Sequence, residues 1–393
     1  MKKIVLMLLA ILIASAPAYA DKKLTVKQLE DLLNELQQEK KTDQEVANEL
    51  MQVDLTEQLD RTTMNSMAAS VPGKLSTEQI YVLEAKSANL PPPTADIPSD
   101  PAPDATAQAA ILKKAYNYAS QTYKGLPKLS ATKTTLRFQD DVSAITGGGL
   151  SSGAQDASVS SGLGGTISYI RYINATASNV QFDEGAEQAS SEKDKTQWGR
   201  NGMIAIEEPG LSLSMILAEA QASGQISFTR WQTLLGKKLA VFSYSVDKKK
   251  SHYEVKLCCF PEVSQTGIAQ FSSATLGSLA GGHGGGAKGN MQIYSQWDHY
   301  KSKDPYHGEF FIDPDTGIVL RLITIVEFKK SDYVHQFDER IDYAPVQVAG
   351  KTLILPIKSV IQNEAVPQGD SGVGGHTIRH TYFVTEYKDY KTE

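Results

Sequence analysis

Several groupings in this 393-residue sequence have the residue types that do chemistry. Around WDHYKSKDPYHGEF, His299 and His307 stand near Asp298, Asp304 and Glu309, the nitrogen and oxygen donors of a metal centre. Pro305 and Gly308 mark a loop running into a strand, and nothing in the spacing holds those ligands on one face. Locally satisfied histidines are the simpler expectation. His376 and His380 lie four apart along one strand row and lack further ligands. Ser130/Lys133 and Ser245/Lys248 match SxxK, the nucleophile and base of serine-acylating enzymes. Both sit in strand-like alternation, whereas that chemistry places the pair at a helix start. Gly210-Leu211-Ser212-Leu213-Ser214 lacks the second glycine of a nucleophile elbow. HExxH is absent, and Ala287 before Lys288 and Gly289 after it break a phosphate loop. Asp313-Pro314-Asp315-Thr316-Gly317 opens like a calcium loop but has no closing Glu, so it reads as a β-turn. Glu207-Glu208 reads as solvated charge. The expectation is no catalytic residue, no metal and no cofactor.

Composition narrows the partners. A formal charge of −6 gives no electrostatic reason to bind nucleic acid. Cys258 and Cys259 are the only cysteines, so at most one bridge can form. Adjacent cysteines strain such a bridge, and in a strand their side chains point to opposite faces. They read as two ordinary strand residues.

Residues 1–20, MKKIVLMLLAILIASAPAYA, read as a signal peptide cleaved after Ala20: a basic start, an apolar run and the small-residue pair Ala18/Ala20. No later run is long and apolar enough to span a bilayer. The expected location is periplasmic or extracellular.

Residues 21–90 read as helices only, four short ones forming a small antiparallel bundle. Thr25/Gln28, Thr42/Glu45, Asp54/Glu57 and Ser76/Gln79 each have the spacing of a helix start. Leu29, Leu32, Leu33 and Leu36 make a stripe at helical period. Residues 91–104, PPPTADIPSDPAPD, form a stiff Pro-rich linker with neither helix nor sheet. A further helix is expected over Ala105–Tyr123, with Asp104 as N-cap and Gly125 as its stop.

From Lys128 the period is two. Leu136 and Phe138 alternate with Lys133, Thr135 and Arg137, and Val255 and Leu257 alternate with Glu254 and Lys256. Ile318, Leu320, Leu322, Val326 and Phe328 share one face, and Leu353, Leu355 and Ile357 continue the pattern. One oily and one wet side predicts a single, curved antiparallel sheet. Gly/Ser-rich stretches at 147–166 and 278–289 read as long loops. Aromatics such as Trp231, Trp297 and Phe242 read as core, with an apolar ligand surface as the functional alternative.

GEFFIDPDTGIVLRL, IDYAPVQVAGKTLILPIKSV and TYFVTEYKDY, with LTVKQLEDLL, DLTEQL and the Pro-rich linker, resemble a family of exported bacterial proteins without an assigned activity. More remotely, the succession of strand, DP-x-TG turn, strand with Arg, Y-x-P-V strand and LP strand is similar to lipoprotein-carrier half-barrels of the LolA, LolB and RseB type. That second resemblance implies acyl chains held on the concave face of an antiparallel sheet closed by helices.

The sequence therefore predicts an α+β protein: a helical bundle (21–90), a Pro-rich linker (91–104), and a half-barrel-like sheet with a packed helix (105–393). The expected role is a non-enzymatic envelope protein binding an apolar, lipid-like ligand or a protein partner, with Leu320, Leu322, Leu353 and Leu355 lining the site. The alternatives are an interaction module that docks through its N-terminal helices, and a hydrolase whose site is assembled from distant residues.

Overall fold

Thr25 and Gln28 form the capping box their spacing predicts: the Thr25 hydroxyl accepts from the Gln28 amide at 3.2 Å and the Gln28 side chain accepts from the Thr25 amide at 2.9 Å. The protein is seen here as a computed structural model that describes residues 22–122, 125–140, 170–188, 205–206, 212–258, 300–329, 334–365 and 379–393. The expected leader, both Gly/Ser-rich stretches, Glu207, Glu208, Cys259, Trp297, Asp298, His299 and His376 lie outside them. The chain divides into two compact units, 1–91 and 92–393.

The helical unit holds α1 (Val26–Gln38), α2 (Asp43–Leu50), α3 (Arg61–Ser70) and α4 (Lys74–Lys86). Leu29, Leu33 and Leu36 of α1 pack with Val46, Leu50, Met64 and Ile80 in one core. The unit is not made of helices alone. β1 (Lys22–Leu24) and β2 (Val53–Leu55) pair in parallel, with Val53 and Leu55 turned into the core. Glu57 does not start a helix of its own. It accepts from the Val26 amide at 2.8 Å, so it satisfies an orphan donor at the first turn of α1. Asp60 caps α3 through the Thr62 and Thr63 amides, a helix that the spacing of Asp54/Glu57 did not anticipate. The fourth helix begins at Lys74, before the expected Ser76 start.

The second unit is a large antiparallel sheet with helices. α5 (Ala105–Thr122) starts at Asp104, whose carboxylate accepts from the Ala107 amide at 2.8 Å. The Pro-rich segment before it does contain one 3-10 turn, Thr94–Asp96, and its Pro101 carbonyl accepts from the Trp231 indole at 2.9 Å. α6 (Leu213–Ser223), unforeseen in the sequence, is capped by Ser212 and stopped by Gly224 at φ 69°.

The strands are β3 (Leu129–Asp140), β4 (Ile170–Asp183), β5 (Ala186–Glu187), β6 (Ala205–Ile206), β7 (Ile226–Leu234) and β8 (Lys237–Val246). They continue with β9 (Glu254–Cys258), β10 (Tyr300–Lys303), β11 (Tyr306–Ile312), β12 (Val319–Val326), β13 (Val334–Val348), β14 (Lys351–Ala365) and β15 (Arg379–Thr392). Ten of them form one open sheet in the order β5-β4-β3-β15-β14-β13-β12-β11-β8-β7. The expected single sheet is therefore corrected, because β10, β9 and β6 form a separate three-stranded sheet.

One face of the large sheet carries Phe242, Tyr244, Phe310, Leu322 and Phe337, covered by Ile111 and Ala115 of α5 and Ile216 and Leu217 of α6. The turn expected at Asp313–Gly317 forms: the Asp313 carboxylate accepts from the Asp315 and Thr316 amides, and Gly317 has φ 78°. A Cβ on Gly317 would lie 2.5 Å from the Lys114 carbonyl carbon, so this turn seats directly on α5. Leu320 and Leu322 do not share a face as their parity suggests. The β11–β12 register shifts between Phe311 and Ile312, and this bulge resets the alternation. Leu322 joins the helix-covered core, while Leu320 packs with Leu239, Val241, Phe311 and Ile323 in another cluster.

Candidate functional site

The helical unit contains an apolar notch of about 300 Å³. Its walls come from Leu33 and Leu36 of α1, Val46 of α2, and Val71 and Pro72 in the turn after α3. Its polar lining is Gln37, Lys40, Lys41 and Ser70, with no acidic side chain among the lining residues.

The end of α1 sets the lysines there. The Lys41 amide donates to the Leu36 carbonyl at 3.1 Å and the Lys40 amide to the Gln37 carbonyl at 3.0 Å. These are the two bonds of a Schellman stop, whose left-handed position is normally glycine. Here it is Lys40, at φ 54°. A side chain in that conformation costs roughly 1–2 kcal/mol. Lys41 pairs with Glu39 at 3.5 Å, and Lys40 makes no ion pair among the described residues.

The four leucines expected to line a ligand surface fall into three clusters. Leu353 and Leu355 pack together with Leu129, Val180 and Phe182. Leu322 and Leu355 are each 1 % exposed, packed in their clusters. Leu320 is half-buried in the cluster around Phe311.

The sheet unit gathers a polar set in which Lys133, Thr135 and Arg137 are residues that the alternation pattern assigned to a wet side. Glu339 on β13 stands between Thr324 of β12 and Ile361 of β14. It accepts from the Tyr253 hydroxyl at 2.9 Å. Burial pushes its carboxyl above the ordinary 4.5, and the nearby Glu187 adds to this against the Tyr253 hydrogen bond and Lys133. Glu187 itself takes the Lys133 ammonium at 2.6 Å and the Tyr387 hydroxyl at 2.8 Å. Glu219 of α6 takes the Tyr306 hydroxyl at 2.7 Å and faces His252 Nδ1 at 2.8 Å. Arg137, 1 % exposed, donates to Thr176 at 3.1 Å, and burial pulls its guanidinium down to about 9. Thr135 and Thr385 share a hydrogen bond of 2.9 Å. A buried carboxyl of raised pKa that accepts from a phenol, near a Lys–carboxylate pair, can hold a polar group or pass a proton.

The described side chains of the His/Asp/Glu groupings have partners of their own. Asp304 pairs with Lys248 and Glu309 with Arg230, and His307 faces Glu327 at 3.0 Å. His335 and His380 flank Glu364 at 3.5 and 3.7 Å. Among the described residues there is no group of three or more such side chains that could hold a metal. Ser130 and Lys133 both lie in β3, and Cys258 ends β9. Ser212 caps α6. No helix among the described residues is long and apolar enough to cross a membrane. No protein-family model matches the chain, and neither a curated protein nor a solved structure matches it.

Proposed function

We propose that this is a non-enzymatic, exported envelope protein that binds an apolar, lipid-like ligand or partner segment through its helical unit. One observation carries the reading: the notch walled by Leu33, Leu36, Val46, Val71 and Pro72. The leader-like residues 1–20 and the resemblance to exported proteins support the location. The reading moves the apolar lining from the sheet leucines, which are packed into cores, to the N-terminal helices. Delipidated full chain should take up a fluorescent undecanoate probe, and Val71→Asp, at the half-exposed rim, should weaken uptake by about tenfold or more. Uptake unchanged by Val71→Asp would reject the notch.

A hydrolytic reading has a separate observation behind it, buried Glu339 and Tyr253 together with the half-buried pair Glu187 and Lys133. Two carboxyls in unlike settings are how acid and base roles are divided. Turnover in esterase, peptidase or glycosidase screens that disappears in Glu339→Gln would favour it over binding alone.

A further inference from the structure

We infer, on the footing of that binding reading, that the notch selects a single-chain amphiphile of the fatty-acid class, with Lys40 and Lys41 holding its carboxylate. Size points to one chain. At about 300 Å³ the notch sits at the lower end of small-molecule sites. Charge points to an anion. The apolar wall is bordered by two lysines, and the lining holds no carboxylate to neutralise them. Glu39 engages Lys41 from outside the lining, while Lys40 has no ion-pair partner among the described residues.

The backbone supplies an independent argument. Lys40 occupies the left-handed position of a helix stop, where glycine would fit without strain. A lysine there gives up stability that glycine would keep, and it adds a cationic residue to the lining of the notch. A cation also complements the C-terminal end of α1, a purely structural role. The two roles separate on replacement by glycine.

The test is calorimetric titration of delipidated full chain at low ionic strength with dodecanoate, dodecanol and anionic phospholipid vesicles. Dodecanoate should bind about tenfold tighter than dodecanol, and the difference should shrink at high salt. Lys40→Gly should lose most of that preference while its thermal midpoint holds or rises, and Lys40→Glu/Lys41→Glu should reverse the preference. Equal binding of dodecanoate and dodecanol overturns the charge assignment and leaves the notch as an apolar site. Binding of neither overturns both readings. Association with vesicles but not dodecanoate replaces the single-chain ligand with a membrane surface. Full preference in Lys40→Gly assigns Lys40 to the helix end alone.

Discussion

The carboxylate of Asp43 sits where a side chain on Gly73 would begin: a Cβ at residue 73 would lie 2.5 Å from Asp43 Oδ2. From there it accepts from the Leu75 and Ser76 amides at 3.0 and 2.9 Å and from the Ser76 hydroxyl at 2.6 Å. The first residue of α2 thus caps α4, because Gly73 has no side chain to do so. Val46 lies one turn along α2, and Val71 and Pro72 lie just before Gly73. The same contact therefore sets the spacing between two walls of the notch.

Asp43→Ala should cost the helical unit about 1–2 kcal/mol, as for loss of a helix cap. Gly73→Ala should cost up to as much, because its methyl displaces the carboxylate from the cap. Burial raises the Asp43 pKa, but the Ser76 and Leu75 hydrogen bonds outweigh it and hold the group below 3.8. Its contribution is thus present above pH 3.8 and lost as pH falls below it. Urea denaturation of the full chain at neutral and acid pH reads both effects. A variant as stable as the parent at neutral pH contradicts the capping role.

Glu339 has the opposite sign. Its pKa is raised when folded, so its contribution is full below 4.5 and is lost as pH rises through the folded value. Glu339→Gln should flatten that decline, seen as thermal midpoints across pH. Tyr253→Phe removes a hydrogen bond to a buried carboxyl and should cost about 1–3 kcal/mol.

Asp342 faces Arg321 directly across β12–β13, at 2.5 Å to Nε and 3.2 Å to Nη2. Burial pushes its pKa up, but Arg321, Arg340 and Lys358 overcome that and hold it at about 2. The shift from 3.8 is worth roughly 2 kcal/mol, present above pH 3.8 and lost as pH falls toward 2. Asp342→Asn should destabilise by roughly 3–5 kcal/mol at neutral pH. Guanidinium denaturation checks it, and a loss below 1 kcal/mol would place the pair among weak surface pairs.

Gly308 admits no side chain. A Cβ there would run into the Ile323 carbonyl, which also accepts from the Tyr244 hydroxyl at 3.0 Å. Gly308→Ala must open the β11–β12 ladder and should cost about 3 kcal/mol or more. Near-wild-type thermal stability would show that the ladder shifts freely.

The parts written in local spacing were legible. Thr25/Gln28 and Thr42/Glu45 form both capping boxes, and Asp313–Gly317 forms its turn. Alternation gave the antiparallel sheet correctly. What failed depended on distant partners. Glu57 reads as a helix start, yet it reaches back to α1. Arg137 and Thr135 read as wet, yet both are buried, because residues on both faces of β3 are covered. The bulge that parts Leu320 from Leu322 leaves no mark in their spacing. α6 did carry a signal, Ser212 followed by Leu213, Ile216, Leu217 and Ala220 with Gly224 as a stop, hidden behind the resemblance to a nucleophile elbow. The notch joins three separate segments, and only the Leu33 and Leu36 stripe announced one wall.

The most direct measurement is methyl NMR of the full chain titrated with dodecanoate. The account predicts shifts centred on Leu33, Leu36, Val46 and Val71, with Leu322 and Leu355 unmoved. Shifts centred on Leu320, Leu322, Leu353 and Leu355, or none anywhere, would contradict it.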